Sequence, residues 1–181
     1  QSPQLEYQGL KLRQHPLVFS QGELDGGTSL LLEALDEQDL YGDLLDLGCG
    51  CGVVGLSMAS KGALHTLSFI DVSAQALLLT AQNLTDNHIP LPCRIMASDM
   101  LQHAASYDAI CVNPPFHQGL AQDNHAAKLM IASAPEHLNP QGSLYLVGNN
   151  FLHYEKVLAE HFAKVEVLKR NSKFTVFKAH S

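Results

Sequence analysis

The tetrapeptide Asn113-Pro114-Pro115-Phe116 carries the most specific chemistry in the chain. Its two prolines fix the backbone and remove two N–H donors, leaving rigid carbonyls. The Asn113 side-chain oxygen and the Pro114 carbonyl are then suited to accept the two N–H groups of a primary amine. Accepting both draws the nitrogen lone pair out of conjugation and aims it at an electrophilic carbon. Phe116 adds a face on which a planar base can stack, worth roughly 1–3 kcal/mol. The reaction is an in-line group transfer to an exocyclic amine, helped mainly by positioning. It requires no metal and no covalent intermediate on a side chain.

The electrophile needs a second motif, and Asp46-Leu47-Gly48-Cys49-Gly50-Cys51-Gly52 supplies it. The segment follows an apolar run and opens a helix at Val53. Glycines let the backbone turn sharply and approach a ligand without Cβ atoms in the way. The helix N-terminus then offers free N–H groups. Gly50-Cys51-Gly52-Val53-Val54-Gly55, with Asp71 downstream, also matches the dinucleotide fingerprint, so an NAD-dependent oxidoreductase is an alternative. Two features favour S-adenosyl-L-methionine. Asp46, just before the glycines, would repel a pyrophosphate and suits the ammonium of a methionine moiety. Ser98-Asp99 places a further acid after a later strand, where a carboxylate can accept from an adenine amino group. Asp71, followed by Val72 at the end of its own strand, is placed for ribose hydroxyls. The oxidoreductase reading leaves residues 113–116 without a role.

Both motifs must sit at the ends of strands, and the patterning provides them. Short apolar runs at 44–47, 66–70, 93–97, 109–112 and 143–147 alternate with amphipathic stretches, as in a parallel sheet covered on both faces. Ala74, Leu77, Leu78, Ala81 and Leu84 recur at helical spacing behind Ser73 as N-cap. Ala127, Met130, Ile131, Ala134 and Leu138 form a second stripe, with Pro135 expected to kink or end it. Val165–Leu168 and Phe174–Phe177, joined by Asn171-Ser172, read as a hairpin. The fold class is α/β: a doubly wound, mostly parallel sheet with an antiparallel C-terminal hairpin.

With 181 residues, 46% of them hydrophobic, the chain reads as one domain over 1–181, with no membrane span and no export leader. Cys49, Cys51, Cys93 and Cys111 form no C-x-x-C pair, so they are expected as small buried hydrophobes in a reducing cytoplasm. The ten histidines show no zinc spacing. A net charge of −7 speaks against a domain that grips nucleic acid unaided. Yet six of the eleven basic residues, Lys156, Lys164, Lys169, Arg170, Lys173 and Lys178, fall in the last quarter, giving either a solvated strand pair or a phosphate-facing edge.

Taken together, the motifs carry a resemblance that runs over nearly the whole chain. Val18-Phe19-Ser20, Leu24-Asp25-Gly26-Gly27-Thr28, Asp46–Gly52, Asn113-Pro114-Pro115-Phe116-His117, Asn149-Asn150-Phe151-Leu152-His153-Tyr154 and Lys173–Ala179 resemble the ribosomal RNA (guanine-N2) methyltransferase family, with the small-subunit branch favoured. The Asn-Pro-Pro-aromatic core alone is shared with adenine-N6 and protein glutamine-N5 methyltransferases, which are the nearest alternatives. A binding module that kept the fold without catalysis is a further one. The resemblance implies a seven-stranded Rossmann-like methyltransferase sheet, S-adenosyl-L-methionine as cofactor and ribosomal RNA or a ribosomal subunit as partner. It also implies an upstream non-catalytic domain, as a partner outside this chain. Gly48, Cys49, Gly50, Gly52, Asp71, Val72, Ser98 and Asp99, with Asp46, would hold the cofactor, and Asn113–Phe116 the guanine. Residues 1–40 would lie over the cofactor and target site, with Thr28 and Asn113 touching the cofactor, and 41–181 would form the core. His117 is assigned to base contact or structure rather than to a general base.

Overall fold

The computed structural model describes residues 4–14, 23–99, 101–103, 105–114 and 120–181. A short antiparallel hairpin, β1 (Gln4–Tyr7) and β2 (Leu10–Arg13), precedes helix α1 (Gly26–Asp36). The core then alternates β3 (Gly42–Leu47), α2 (Val53–Met58), β4 (Leu64–Asp71), α3 (Ala74–Asp86), β5 (Cys93–Ala97), β6 (Tyr107–Val112), α4 (Leu120–Ser133) and β7 (Leu138–Asn149). Helix α5 (Tyr154–His161) and the antiparallel pair β8 (Lys164–Arg170) and β9 (Phe174–His180) close the chain. The seven main strands lie in the order β5-β4-β3-β6-β7-β9-β8. From β3 the chain runs outward through β4 to β5, then returns to start β6 on the other side of β3. Ligands of open α/β sheets bind at such a reversal, beyond the carboxyl ends of the strands.

Strand periodicity of two sorts the core into two layers. Leu44, Leu67, Ala109, Cys111, Tyr145 and Val147 face one side, covered by α1, α2 and part of α3. Leu45, Leu47, Ile110, Val112, Leu144 and Leu146 face the other, against α4 and α5. Because both faces are buried, these strands read as continuous apolar runs rather than alternating ones. The same alternation puts Asn113, two residues beyond Cys111, on the α1 side. Gly55 lets α2 lie close on β4: a Cβ there would collide with the Phe69 ring.

The helices correct the sequence reading in three places. In α3, Ser73 caps the helix by accepting from the Ala76 N–H at 3.2 Å, as expected. Its buried face, however, is Ala76, Leu79, Thr80 and Asn83, while Leu78 is 53% exposed. The stripe is rotated because two polar side chains take the innermost places and bond backbone. Thr80 donates to the Gly50 carbonyl at 3.0 Å, and Asn83 donates to the Cys51 carbonyl at 2.8 Å. Helix α4 ends at Ser133 in a 3-10 turn (Ala134–His137) that contains Pro135, and Leu138 opens β7 instead of ending the helix. Helix α1 and the β1–β2 hairpin were not anticipated. Of the cysteines, Cys49, Cys51 and Cys111 are buried, but Cys93 on the edge strand is only half-buried.

Asn83 also tethers the hairpin to the sheet. Its side chain accepts from the Arg13 N–H at 2.8 Å and donates to the Arg13 carbonyl at 3.2 Å, completing the ladder of β2 with an amide. Replacing it orphans the buried Cys51 carbonyl and the half-buried N–H and carbonyl of Arg13, at up to about 1–3 kcal/mol each before relaxation. Asn83→Ala should therefore lower the free energy of urea unfolding by about 2–4 kcal/mol. Thr85→Ala, on the exposed side of the same helix, should stay within about 0.5 kcal/mol of the parent. Equal effects would mean that Asn83 joins nothing.

Candidate active site

At the end of β3 the backbone turns through Gly48, Gly50 and Gly52 with φ of +68°, +56° and +86°. These left-handed values are open to glycine and costly for other residues. At Gly52 a Cβ would also come within 2.8 Å of Leu56. At Gly48 it would meet nothing within 4 Å, so that side of the turn faces open space. The loop is held from beneath: Gly48 and Cys49 N–H groups donate to the Ile70 carbonyl at 2.8 and 3.0 Å. Asp71 holds it from the side. One carboxylate oxygen accepts from the Gly50 N–H at 3.0 Å and the other from the Ser73 N–H at 2.9 Å. The remaining lone pairs of that carboxylate are left for a ligand.

Asp46 is 3% exposed and accepts from the Gly55 N–H at 3.0 Å. Burial pushes its carboxyl up to about 7; the Gly55 hydrogen bond pulls the other way, and the charge on Asp71 adds to the rise. Among the described residues no basic side chain pairs with it. Burial likewise pushes the Cys51 thiol up to about 11 and holds Cys49 and Cys111 above the ordinary thiol range, so these sulfurs stay neutral. Asp46, Gly48, Cys49, Thr28 and Asn113 line a narrow cavity of about 60 Å³ whose other walls are apolar.

Asn113 follows β6 across the switch point from β3. Its amide nitrogen donates to Asp25 Oδ2 at 2.8 Å and to Thr28 Oγ1 at 3.1 Å. A carboxylate only accepts, so the nitrogen must face Asp25 and the oxygen must face away. Asn113 Oδ1 is buried and has no hydrogen-bond partner among the described residues. The Asp25 oxygen that holds Asn113 also accepts from the Thr28 N–H at 3.1 Å, capping α1. Gly27 leaves room for this approach, since a Cβ would stand 3.1 Å from both Asn113 Nδ2 and Asp25 Oδ2 and 3.3 Å from the Phe174 ring.

The structure thus gathers Asp46, Gly48, Cys49, Thr28 and Asn113 around one cavity, with Gly50, Gly52 and Asp71 in the adjoining loop. Ser98 stands beside this loop, its N–H donating to the Asp71 carbonyl at 3.2 Å. Val72 is 70% exposed, and Asp99 is exposed at the end of β5. Pro114 is buried, whereas Pro115, Phe116 and His117, like Val18-Phe19-Ser20, lie outside the described residues. The sequence reading set the stretch around Asp25–Thr28 over the target site but missed the role of Asp25, which orients Asn113. Phe174 of β9, whose ring lies against Gly26 and Gly27, escaped it, and nothing local in the sequence marks it.

The raised Asp46 carboxyl has a measurable consequence. In the unfolded chain an aspartate titrates near 3.9; in the fold it titrates at about 7. The folded state therefore favours the protonated form. The stability this contributes is complete below about pH 4 and is lost as pH rises through 7. Asp46→Asn keeps the acceptor for Gly55 but cannot ionise. Its melting temperature should exceed that of the parent at pH 8, with the difference closing towards pH 5. A pH-independent difference would show that Asp46 ionises as freely as in water.

Comparisons with known proteins converge on one family. A family model described as the methyltransferase small domain matches residues 9–178. The Vibrio vulnificus protein named ribosomal RNA small subunit methyltransferase C is 39% identical over 173 residues, covering 95% of this chain and 50% of the relative. Its Pasteurella multocida namesake is 40% identical over 169 residues, covering 93% and 51%. The chain therefore spans about half the length of the curated relatives it matches. Among solved structures, the T. thermophilus 16S rRNA N2 methyltransferase in complex with AdoMet and guanosine superposes with a TM-score of 0.84 at 31% identity, over 100% of this chain and 50% of that one. A Pyrococcus furiosus methyltransferase shares the fold, with a TM-score of 0.69 at 19% identity over 95% of this chain and 89% of its own. With its Rossmann-like sheet and Asn113 set beside the glycine loop, this chain belongs to the methyltransferase small domain family.

Proposed function

We propose that this chain is the catalytic half of an S-adenosyl-L-methionine-dependent ribosomal RNA methyltransferase that acts, in the cytoplasm, on the exocyclic N2 amine of a guanine in small-subunit RNA. The observation that carries the reading is Asn113: a half-buried side chain clamped by Asp25 and Thr28, its buried oxygen left without a partner among the described residues. The names of the relatives and the guanosine complex of the T. thermophilus enzyme support the substrate.

The residues present fit the cofactor. Asp46 is a buried carboxyl without a basic partner among the described residues, which suits a ligand that brings its own ammonium. The Gly48 turn leaves open space above it, and Asp71 keeps spare lone pairs beside Gly50. Asp46, the 48–52 loop and Thr28 would hold the methionine portion, Asp71 the ribose, and Val72, Ser98 and Asp99 the adenine. When bound, S-adenosylmethionine supplies an electrophilic methyl group on a sulfonium.

The chain's own part is to present the amine. Asn113 Oδ1 and the Pro114 carbonyl accept its two N–H groups, which localises the lone pair on nitrogen. Because Asp25 and Thr28 prevent the amide from rotating, this acceptor needs no reorganisation as the nitrogen becomes tetrahedral, so its interaction is strongest in the transition state. The methylated amine then loses a proton to water, and no side-chain base is required. A guanine must leave its stack to reach a pocket at the sheet edge. Phe116 and Phe174 are the aromatic faces assigned to receive it.

Incubation with labelled cofactor and small-subunit ribosomal RNA, followed by mass analysis of nucleosides, should yield N2-methylguanosine. Methylated adenosine or methylated protein alone would overturn the reading. Asn113→Ala should cut single-turnover transfer by about a hundredfold, with calorimetric cofactor affinity nearly unchanged. Asp25→Ser keeps a helix cap but cannot reach Asn113, so kcat should fall by about tenfold at near-constant KM. Full turnover in either variant would remove the clamp from the mechanism.

A further inference from the structure

Beyond the proposed pocket, on the α4/α5 side of the sheet, a groove of about 730 Å³ runs between α5 and the ends of β7, β8 and β9. Asn149, Asn150, His153, Lys156, Arg170 and Thr175 are among its lining residues. Beside it stands Phe151, the most exposed large hydrophobic side chain among the described residues, at 87%. An aromatic ring left in water is informative when its setting is fixed, and this one is. The Phe151 N–H donates to Asn149 Oδ1 at 3.0 Å. Asn150 is tied to the β8–β9 turn by its N–H to the Lys173 carbonyl at 2.8 Å and by its amide to the Asn171 carbonyl at 3.1 Å. Thr175 donates to Asn150 Oδ1 at 2.6 Å while accepting from Arg170 Nε at 2.9 Å. His153, in the left-handed region at φ 52°, makes the corner into α5.

The charge around this ring differs from that of the rest of the chain. Lys156, Arg170 and the adjacent Lys173 are exposed, and none forms an ion pair among the described residues. Other cations of the same region are engaged elsewhere. Lys169 lies 3.6 and 3.5 Å from Glu33 and Glu37 of α1, and Lys164 lies 3.3 Å from Glu166. Adjacent residues of a strand face opposite sides, so Lys169 turns to α1 and Arg170 to the groove. Glu155 is the carboxylate among the residues lining the groove. On a chain of net charge −7, unpaired cations beside a fixed, water-exposed aromatic ring fit a ligand with phosphates and planar bases.

The groove opens at the same edge of the sheet as the target site, on the other face. Val112 of β6 pairs with Leu146 of β7, so Asn113 is level with Val147 and Asn149 lies two residues further. At the ordinary strand spacing and rise that is a separation of about 8 Å. We infer that Phe151 is a stacking platform for an unpaired base neighbouring the methylated guanine in single-stranded RNA, with Lys156 and Arg170 holding the phosphates that lead into the groove. This inference rests on the RNA substrate proposed above and adds a second site on it.

The chain has no tryptophan, so Phe151→Trp makes a single fluorescent reporter. Titration with a single-stranded RNA of about eight nucleotides should quench it saturably. Phe151→Ala should weaken binding of the same RNA by about tenfold and leave cofactor affinity unchanged. Lys156→Gln with Arg170→Gln should lower the slope of log affinity against log salt by about one. Lys169→Gln removes one positive charge from the opposite face and should leave the slope unaltered. RNA binding without quenching, an unchanged Phe151→Ala affinity, or equal quenching by heparin or an acidic peptide would overturn the inference. If quenching and the variant effects appear but the parent makes no N2-methylguanosine, the groove stands and the proposed function falls. If N2-methylguanosine forms equally well in the parent and in Phe151→Ala, the function stands and the groove falls.

Discussion

The ligand edge depends on β3 and β6 lying side by side in parallel while the chain leaves them on opposite sides. Their pairing sets Asp46 level with Cys111 and Leu47 level with Val112. The residues that leave these strand ends, the glycine loop from β3 and Asn113-Pro114 from β6, are therefore brought to one crevice. Parallel strands at a sheet centre are covered on both faces, so a carboxyl at such a strand end is dry. That dryness, more than any neighbouring charge, lifts the Asp46 carboxyl. A charged partner brought there by a ligand would act through less solvent than at the surface.

Helix α1 converts the crevice into a site with one orientation. Asp25 Oδ2 both caps the helix and holds the Asn113 amide, so the geometry of the acceptor and the stability of the helix start are linked through one atom. A Cβ at position 27 would crowd this contact and the Phe174 ring of β9 beside it. Among the described residues the arrangement leaves the buried Asn113 Oδ1 without a partner, at about 1–3 kcal/mol. Local rules of satisfaction are broken at functional places, and on the proposed function the missing partner is the substrate amine.

These features differ in how far the sequence discloses them. Strands buried on both faces announce themselves as apolar runs, and β3, β4, β6 and β7 appear where the runs do, extended at ends such as Leu64 and Asn149; the edge strand β5 matches its run as well. The glycine loop is legible because three left-handed residues allow little else. Helix α3 was placed correctly but turned wrongly, because apolar periodicity cannot foresee that Thr80 and Asn83 are drawn inward by unpaired loop carbonyls. Helix α1 was hidden by Gly26-Gly27, poor helix formers kept for contact with Asn113 and Phe174. Asp25 meets Asn113 only through tertiary structure, 88 residues apart from it in sequence, and Phe174 reaches Gly26-Gly27 in the same way.

The C-terminal basic residues show the same limit from the surface. Along the sequence they form one cluster, but the sheet distributes them. Lys169 answers the acidic flank of α1, Lys178 lies over the Tyr145 ring, and Arg170 turns to the α5 side. Positive charge is thereby neutralised where it would only attract polyanions and kept at one edge. A net acidic surface disfavours unspecific RNA contacts, whose affinity scales with the phosphates neutralised. A few free cations beside an aromatic ring can then act on a strand whose bases are already unpaired. Selection of an unpaired region would come first from this geometry, with the amide clamp at Asn113 left to discriminate the amine.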